Sequence, residues 1–284
     1  MFGVEVSMGF LASLAPEAAG RLIPFLEAVK SRLSSSRLVH ADETSDQVGL
    51  RTIWFHVAAN ADATYLFASP TRGRAAPDEA GVLPGFRGVM MHDRLSMYFG
   101  YDNATHVVCG AHLLRDLDSV AHRPSQAWAK RMRALLLEMN SAAHAARARG
   151  HVRLGYRQRD ELLARYDTIV KDALVANTAL LSRERNSLEH ESYNLAVALQ
   201  KRRAEVTRFV IDLSVPFTNN EAERSLRMAK LHRKISGCFQ SEDHARHFAA
   251  IRSYLATARK HDTGGLAVLS MLFRCGCWLP PAVT

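Results

Sequence analysis

The feature that most restricts the fold of this chain is a change of hydrophobic period partway along it. Between residues 37 and 109 the apolar residues come in short β-favouring runs, at 37–40, 52–58, 64–67, 89–92 and 105–109, separated by polar or Gly/Pro turns. Five runs of ordinary strand length within about seventy residues predict a sheet. After Ala111 the period becomes helical: 113–121, 126–149, 156–187 and 191–209 carry apolar stripes with charged opposite faces. Ahead of the sheet, Ala19, Leu22, Ile23, Leu26, Val29 and Leu33 mark an amphipathic helix over 16–34, which Ser34-Ser35-Ser36 ends. Behind the helical block, a turn at 213–220 holding Pro216 and Asn219-Asn220 precedes helices at 221–233 and 243–259, the second closed by Gly264-Gly265. The pattern reads as an α/β fold with a block of helices inserted after the strands.

A chain of 284 residues, 48% hydrophobic, is one large domain or two ordinary ones at roughly 150 residues each, with ample material for a packed core. Its apolar stretches, such as 53–59 and 266–273, are far shorter than the ~18 residues of a membrane span, and 1–14 has no basic segment ahead of its apolar residues. We expect a cytoplasmic protein. The formal charge of +9 favours a polyanionic partner. Cys109, Cys238, Cys275 and Cys277 include one close pair, spaced C-x-C, which supports neither a disulfide framework nor a zinc finger. The thirteen histidines form no H-E-x-x-H motif.

Two acidic residues follow predicted strands: Asp42 after Leu38-Val39-His40-Ala41, and Asp93 after Val89-Met90-Met91-His92. A carboxylate just beyond a buried strand is rigidly held and reaches the sheet edge, as a divalent-metal site requires. Acidic residues also terminate strands routinely, so the pair alone is weak evidence. Glu223, three residues after Asn220 at the start of a helix, fits a capping box with Asn220, the better reading on spacing alone. It also fits a third carboxylate aimed at the two aspartates.

Several long segments together decide between these readings: A-D-E-T at 41–44, G-V-L-P-G-F-R-G-V at 81–89, H-D at 92–93, C-G-A-H-L-L-R-D-L at 109–117, V-P-F-T-N-N-E-A-E-R-S-L-R-M-A-K at 215–230, K-I-S-G-C-F at 234–239, I-R-S-Y-L-A-T-A-R-K at 251–260 and W-L-P-P at 278–281. In this order they resemble the DDE transposases of the insertion sequence 66 family, nearly end to end. The resemblance implies a ribonuclease-H-like fold, a mixed β-sheet flanked by helices, with a helical insertion between the second and third carboxylates. It implies Asp42, Asp93 and Glu223 as the catalytic, metal-binding triad for Mg²⁺ or Mn²⁺, DNA strand cleavage followed by strand transfer, and assembly as a homo-oligomer on DNA. The domain layout expected is a helical segment at 1–36, a catalytic domain at 37–262 with its insertion at about 122–210, and a tail at 263–284.

Three departures from the family pattern stand out: Arg94 where a glycine commonly follows the second aspartate, Gly110 in place of an asparagine, and Thr218 in place of an aspartate. Arg94 puts a guanidinium beside Asp93. His112 and Arg115, with Arg224, Arg227 and Lys230 along the Glu223 helix, read as phosphate contacts as a group, although each singly reads as a solvated face. Lys201-Arg202-Arg203 with Arg208 reads as a solvated face, and the Met/Leu stripe from Met132 to Met139 as core.

The alternative to an active enzyme is a truncated, non-catalytic DNA-binding remnant. Members of the resembled family carry a long cysteine-rich N-terminal region, and here only 41 residues precede Asp42. Phosphate contacts cannot tell element ends from other DNA. We therefore expect a truncated copy, or one that needs an accessory polypeptide for end recognition, with element ends and target DNA as the other partners.

Overall fold

The computed structural model describes residues 7–123, 125–178 and 188–282. The chain divides into two compact units, one made of Met1–Thr105 with Asn220–Thr284 and the other of His106–Asn219. The first begins with α1 (Met8–Arg21) and α2 (Ile23–Ser34), then β1 (Leu38–Val48), β2 (Arg51–Ala59), β3 (Thr64–Ser69), α3 (Ala75–Ala80) and β4 (Val89–His92); β5 (Thr105–Val108) starts at the unit boundary. The strand order is β3-β2-β1-β4-β5, with β1–β2 and β2–β3 antiparallel and β1–β4 parallel. This is the mixed sheet flanked by helices that the family resemblance implies.

β1 is longer than its apolar run. The polar residues from Asp42 onward continue the strand because each faces a residue of β2, from Asp42 opposite Val57 to Val48 opposite Arg51. Gly49 and Leu50 close this hairpin, and Gly49 takes φ +56°, a conformation open to glycine at little cost. Asp42 therefore lies within β1 rather than past its end. β4 docks on the start of β1 through Gly88, where a Cβ would come within 2.6 Å of the Arg37 carbonyl oxygen; the next residue, Val89, donates its N–H to that oxygen at 2.8 Å.

Alternation splits β1 between two cores. Val39 and Ala41 face one with Phe25, Val29 and Leu33 of α2. The opposite face carries Ile53, Phe55 and Val57 of β2 and is covered by Ala222, Leu226 and Ala229 of α9 (Asn220–Ser236). α10 (Glu242–Lys260) lies along the edge strand β3. There the hydroxyls of Ser253 and Thr257 satisfy backbone groups of Leu66 and Thr64 at 2.8–3.2 Å, so the sheet edge is closed by a helix. α11 (Gly265–Arg274) follows, with Val268 and Leu272 buried in the α2 core.

The second unit holds α4 (Gly110–Ala121), α5 (Ala127–Ala148), α6 (Tyr156–Thr178), α7 (Leu188–Lys201) and α8 (Arg203–Ile211). Residues 179–187 of the run read from the sequence as one helix over 156–187 lie outside the described residues. The helix expected over 191–209 is two helices, broken at Arg202; next to the break, Arg203 forms a two-pronged pair with Asp167 of α6 at 2.5 and 2.9 Å. Met132, Leu135, Leu136 and Met139 are buried, as the stripe implies. No helix among the described residues is long and apolar enough to cross a membrane.

Candidate active site

The parallel pairing of β1 and β4 runs Leu38 to Val89, Val39 to Met90 and His40 to Met91. Continued by two residues, this register brings Asp42 level with Asp93, just past the end of β4. Each carboxylate is fixed locally. Asp42 Oδ1 accepts from the Glu43 N–H at 2.9 Å, and Asp93 Oδ1 accepts from the Leu95 N–H at 2.8 Å, closing a short turn.

Asp42 is buried on the α9 face, opposite Val57. Burial pushes its carboxyl up to about 7, and the charges of Glu43 and Asp93 add to the rise, while the Glu43 N–H and Lys230 oppose it. A carboxyl held this far above its ordinary range marks negative charge that the protein alone does not compensate.

Glu43 is a further carboxylate here, its side chain buried, that strand-end reasoning does not find. It points to the opposite face of β1, where it accepts from the Tyr98 hydroxyl at 2.7 Å and from Arg72 at 2.8 and 3.0 Å. The Arg72 guanidinium also lies over the Trp54 ring, 4.8 Å from its centroid. Burial raises the Glu43 carboxyl, the Tyr98 and Arg72 hydrogen bonds pull it down, and Asp93 raises it further. Glu43 stands beside Asp42 in the sequence, but its role depends on the strand continuing past His40 and turning the two side chains to opposite faces.

α9 begins at Asn220, so the third helical position is Ala222 and the Asn220–Glu223 capping box is out of register by one. Glu223 is half-buried in the first turn. Lys230 lies two turns further on, on the same helical face by periodicity, and its charge acts on Asp42. Between them Arg224 and Arg227 are exposed, Arg224 lying 3.9 Å from Glu221. Asp42, Asp93 and Lys230 are thus brought together, with Glu223 on the helix that carries Lys230. His112 and Arg115 belong to the other unit, on α4, where His112 is half-buried and Arg115 exposed.

Two of the departures have structural correlates. A Cβ on Gly110 would come within 2.2 Å of the Phe217 ring, and the Gly110 N–H donates to the Phe217 carbonyl at 2.8 Å, so the position admits no asparagine as packed here. Arg94 is half-buried next to Asp93. Nothing in the structure explains Thr218.

No curated protein matches the chain significantly. Residues 1–247 match the model of the family described as Transposase IS66 family. That match covers most of the chain, which therefore belongs to the IS66 family of transposases.

Proposed function

We propose that the chain is a DDE-type transposase catalytic domain that cleaves DNA strands and joins the freed 3′-hydroxyl to target DNA, with Asp42, Asp93 and Glu223 as its metal-binding carboxylates. Family membership supports a transposase role and DNA as partner. The observation that carries the finer reading is the level placement of Asp42 and Asp93 on neighbouring parallel strands, with Asp42 raised by its surroundings. A three-stranded antiparallel meander extended by a strand parallel to β1, with one aspartate on the central strand and the other just past the end of its parallel neighbour, supports a ribonuclease-H-like core.

The donor set fits a hard divalent cation: carboxylate oxygens only, two of them fixed by backbone hydrogen bonds that leave lone pairs for an ion. Bound by Asp42, Asp93 and Glu223, Mg²⁺ or Mn²⁺ would supply activation of the attacking oxygen and stabilisation of the leaving oxygen in phosphodiester chemistry. The chain's own residues do the rest. Arg72 and Tyr98 anchor Glu43 and so fix the segment of β1 that carries Asp42. Lys230 supplies a positive charge to Asp42. Arg224 and Arg227 offer phosphate contacts that position DNA without reading its sequence, and on the helical unit His112 and Arg115 offer contacts of the same kind.

The test is strand cleavage of duplex DNA in Mg²⁺ or Mn²⁺ by the wild type and by Asp42→Asn, Asp93→Asn and Glu223→Gln. Each amide keeps shape and removes charge, so each should lower the rate by at least about a thousandfold, several kcal/mol of transition-state stabilisation. Wild-type cleavage by Glu223→Gln would remove Glu223 from the triad, and DNA binding without cleavage by the wild type would favour a non-catalytic remnant.

A further inference from the structure

A further basic feature lies in the same unit, at the β3 edge of the sheet. Between α9, α10 and the start of β3 runs an open groove of about 760 Å³. Its walls carry Arg224 and Arg227 from α9 and Arg252, Arg259 and Lys260 from α10, against the single carboxylate of Glu221. Glu221 is already engaged, 3.1 Å from Lys260 and 3.9 Å from Arg224. Arg227, Arg252 and Arg259 make no ion pair with any described residue. Burial and the charge of Arg259 both push the Arg252 guanidinium down, as expected where cations converge without anions. β3 stands two strands from β1, on the order of 10 Å away by strand spacing, so the α10 wall with Arg252, Arg259 and Lys260 is separate from Asp42 and Asp93, while Arg224 and Arg227 are shared with the phosphate contacts proposed above.

We propose that this groove holds a stretch of DNA phosphodiester backbone, as an anchoring surface distinct from the carboxylate site. The choice of DNA rests on the transposase reading; the anionic character of the occupant rests on the groove alone. Several features select a repeating anion over a single one. The cations form two rows on two helices. Arg252 and Arg259 are two turns apart on one face of α10, roughly 10 Å by helical rise, so the row of cations runs along the groove. Arginine forks match phosphate oxygens in pairs. Leu66, Met228 and Leu255 give the groove apolar surface for sugars. Gly264 and Gly265 also line it, so the first turn of α11 opens there with no capping side chain.

The experiment measures binding of a fluorescein-labelled 20-base-pair duplex of arbitrary sequence to the full chain by anisotropy, in EDTA, over a range of salt. Arg252→Gln/Arg259→Gln should raise Kd about tenfold at moderate salt and flatten the slope of log K against log salt by roughly 1.8, the counterion release of two phosphate contacts. Arg259 is exposed, so Arg259→Gln alone, expected to flatten the slope by about 0.9, decides the matter should the double variant fail to fold. Unchanged Kd and slope in folded variants would overturn the proposal. So would displacement of the duplex by polyglutamate at equal charge concentration, which would assign the groove to an acidic polypeptide. Because binding is measured in EDTA, where no cleavage takes place, failure here is distinguishable from failure of the catalytic reading, which appears only in cleavage.

Discussion

The two units bury polar groups in opposite ways. In the helical unit the buried groups around α5 are neutral and close on one another. The Gln126 amide donates to Asn177 at 2.8 Å, Asn177 donates back to Gln126 at 3.2 Å and to the Ala173 carbonyl at 2.7 Å, and the Trp128 indole donates to Gln126. In the sheet unit a single strand buries three carboxylates, Asp42, Glu43 and Asp46, and at Asp42 the neighbouring charges of Glu43 and Asp93 reinforce the cost of burial. A closed neutral network specifies packing. A cluster of like charges gives up stability, and such a sacrifice points to a ligand that restores it.

The largest effect expected from this contrast is a pH-dependent stabilisation by Asp42→Asn. The Asp42 carboxyl rises from 3.8 to about 7 on folding. A raised carboxyl favours the folded state while it is protonated in both states, and that advantage is lost as pH climbs through the folded value. The variant and wild type should therefore be closest in stability below pH 3.8 and diverge from there up to about pH 7. The plateau favours the variant by on the order of 2–4 kcal/mol, since each tenfold change in proton affinity is worth about 1.4 kcal/mol. Denaturant unfolding in EDTA at pH 4, 6 and 8 measures this. Adding Mg²⁺ at pH 8 should narrow the gap by stabilising the wild type alone. A gap independent of pH would break the contrast.

Which parts of this contrast are visible in the sequence follows from the range of the interactions involved. β2, β3, β4 and β5 stand out as apolar runs because their own residues are buried. The second half of β1 does not, because Asp42 to Gln47 is polar and becomes strand only through its partner β2 and the Gly49 turn. The break at Arg202 carries neither Gly nor Pro, so helical periodicity runs straight through it. α3, six residues long, and α11, in the segment read as a tail, leave too short a periodic signal. Asp42 and Asp93 are legible as acidic residues near strand ends. Their level placement depends on a parallel pairing of segments fifty residues apart, and the part of Glu43 and Lys230 on the strand's two faces depends on the same tertiary structure.

A smaller, pH-independent loss is expected in the helical unit. Asn177→Ala removes two donated bonds and the acceptor of the Gln126 amide, leaving buried polar atoms of Gln126 short of partners. The cost should be about 2–3 kcal/mol at pH 5 and pH 8 alike, because no titrating group takes part. Thermal or denaturant unfolding at both pH values checks it, and a pH-dependent loss would show charge entering a network that reads as neutral.

The smallest effect should come from charge that water already screens. Arg165 and Glu138 on α6 and α5 form a two-pronged ion pair at 2.6 and 2.7 Å. Arg165 holds the Glu138 carboxyl below its ordinary range. Both side chains are nevertheless about half exposed, 46% and 50%. Exposed pairs contribute little because solvent weakens the attraction and ordering two long side chains opposes it. A double-mutant cycle with Arg165→Ala and Glu138→Ala should give a coupling of about 0.5 kcal/mol that fades at high salt. A coupling of several kcal/mol would mean that the helical unit, like the sheet unit, draws strongly on its charges; a small one leaves the strong electrostatics of the chain with the buried carboxylates of β1.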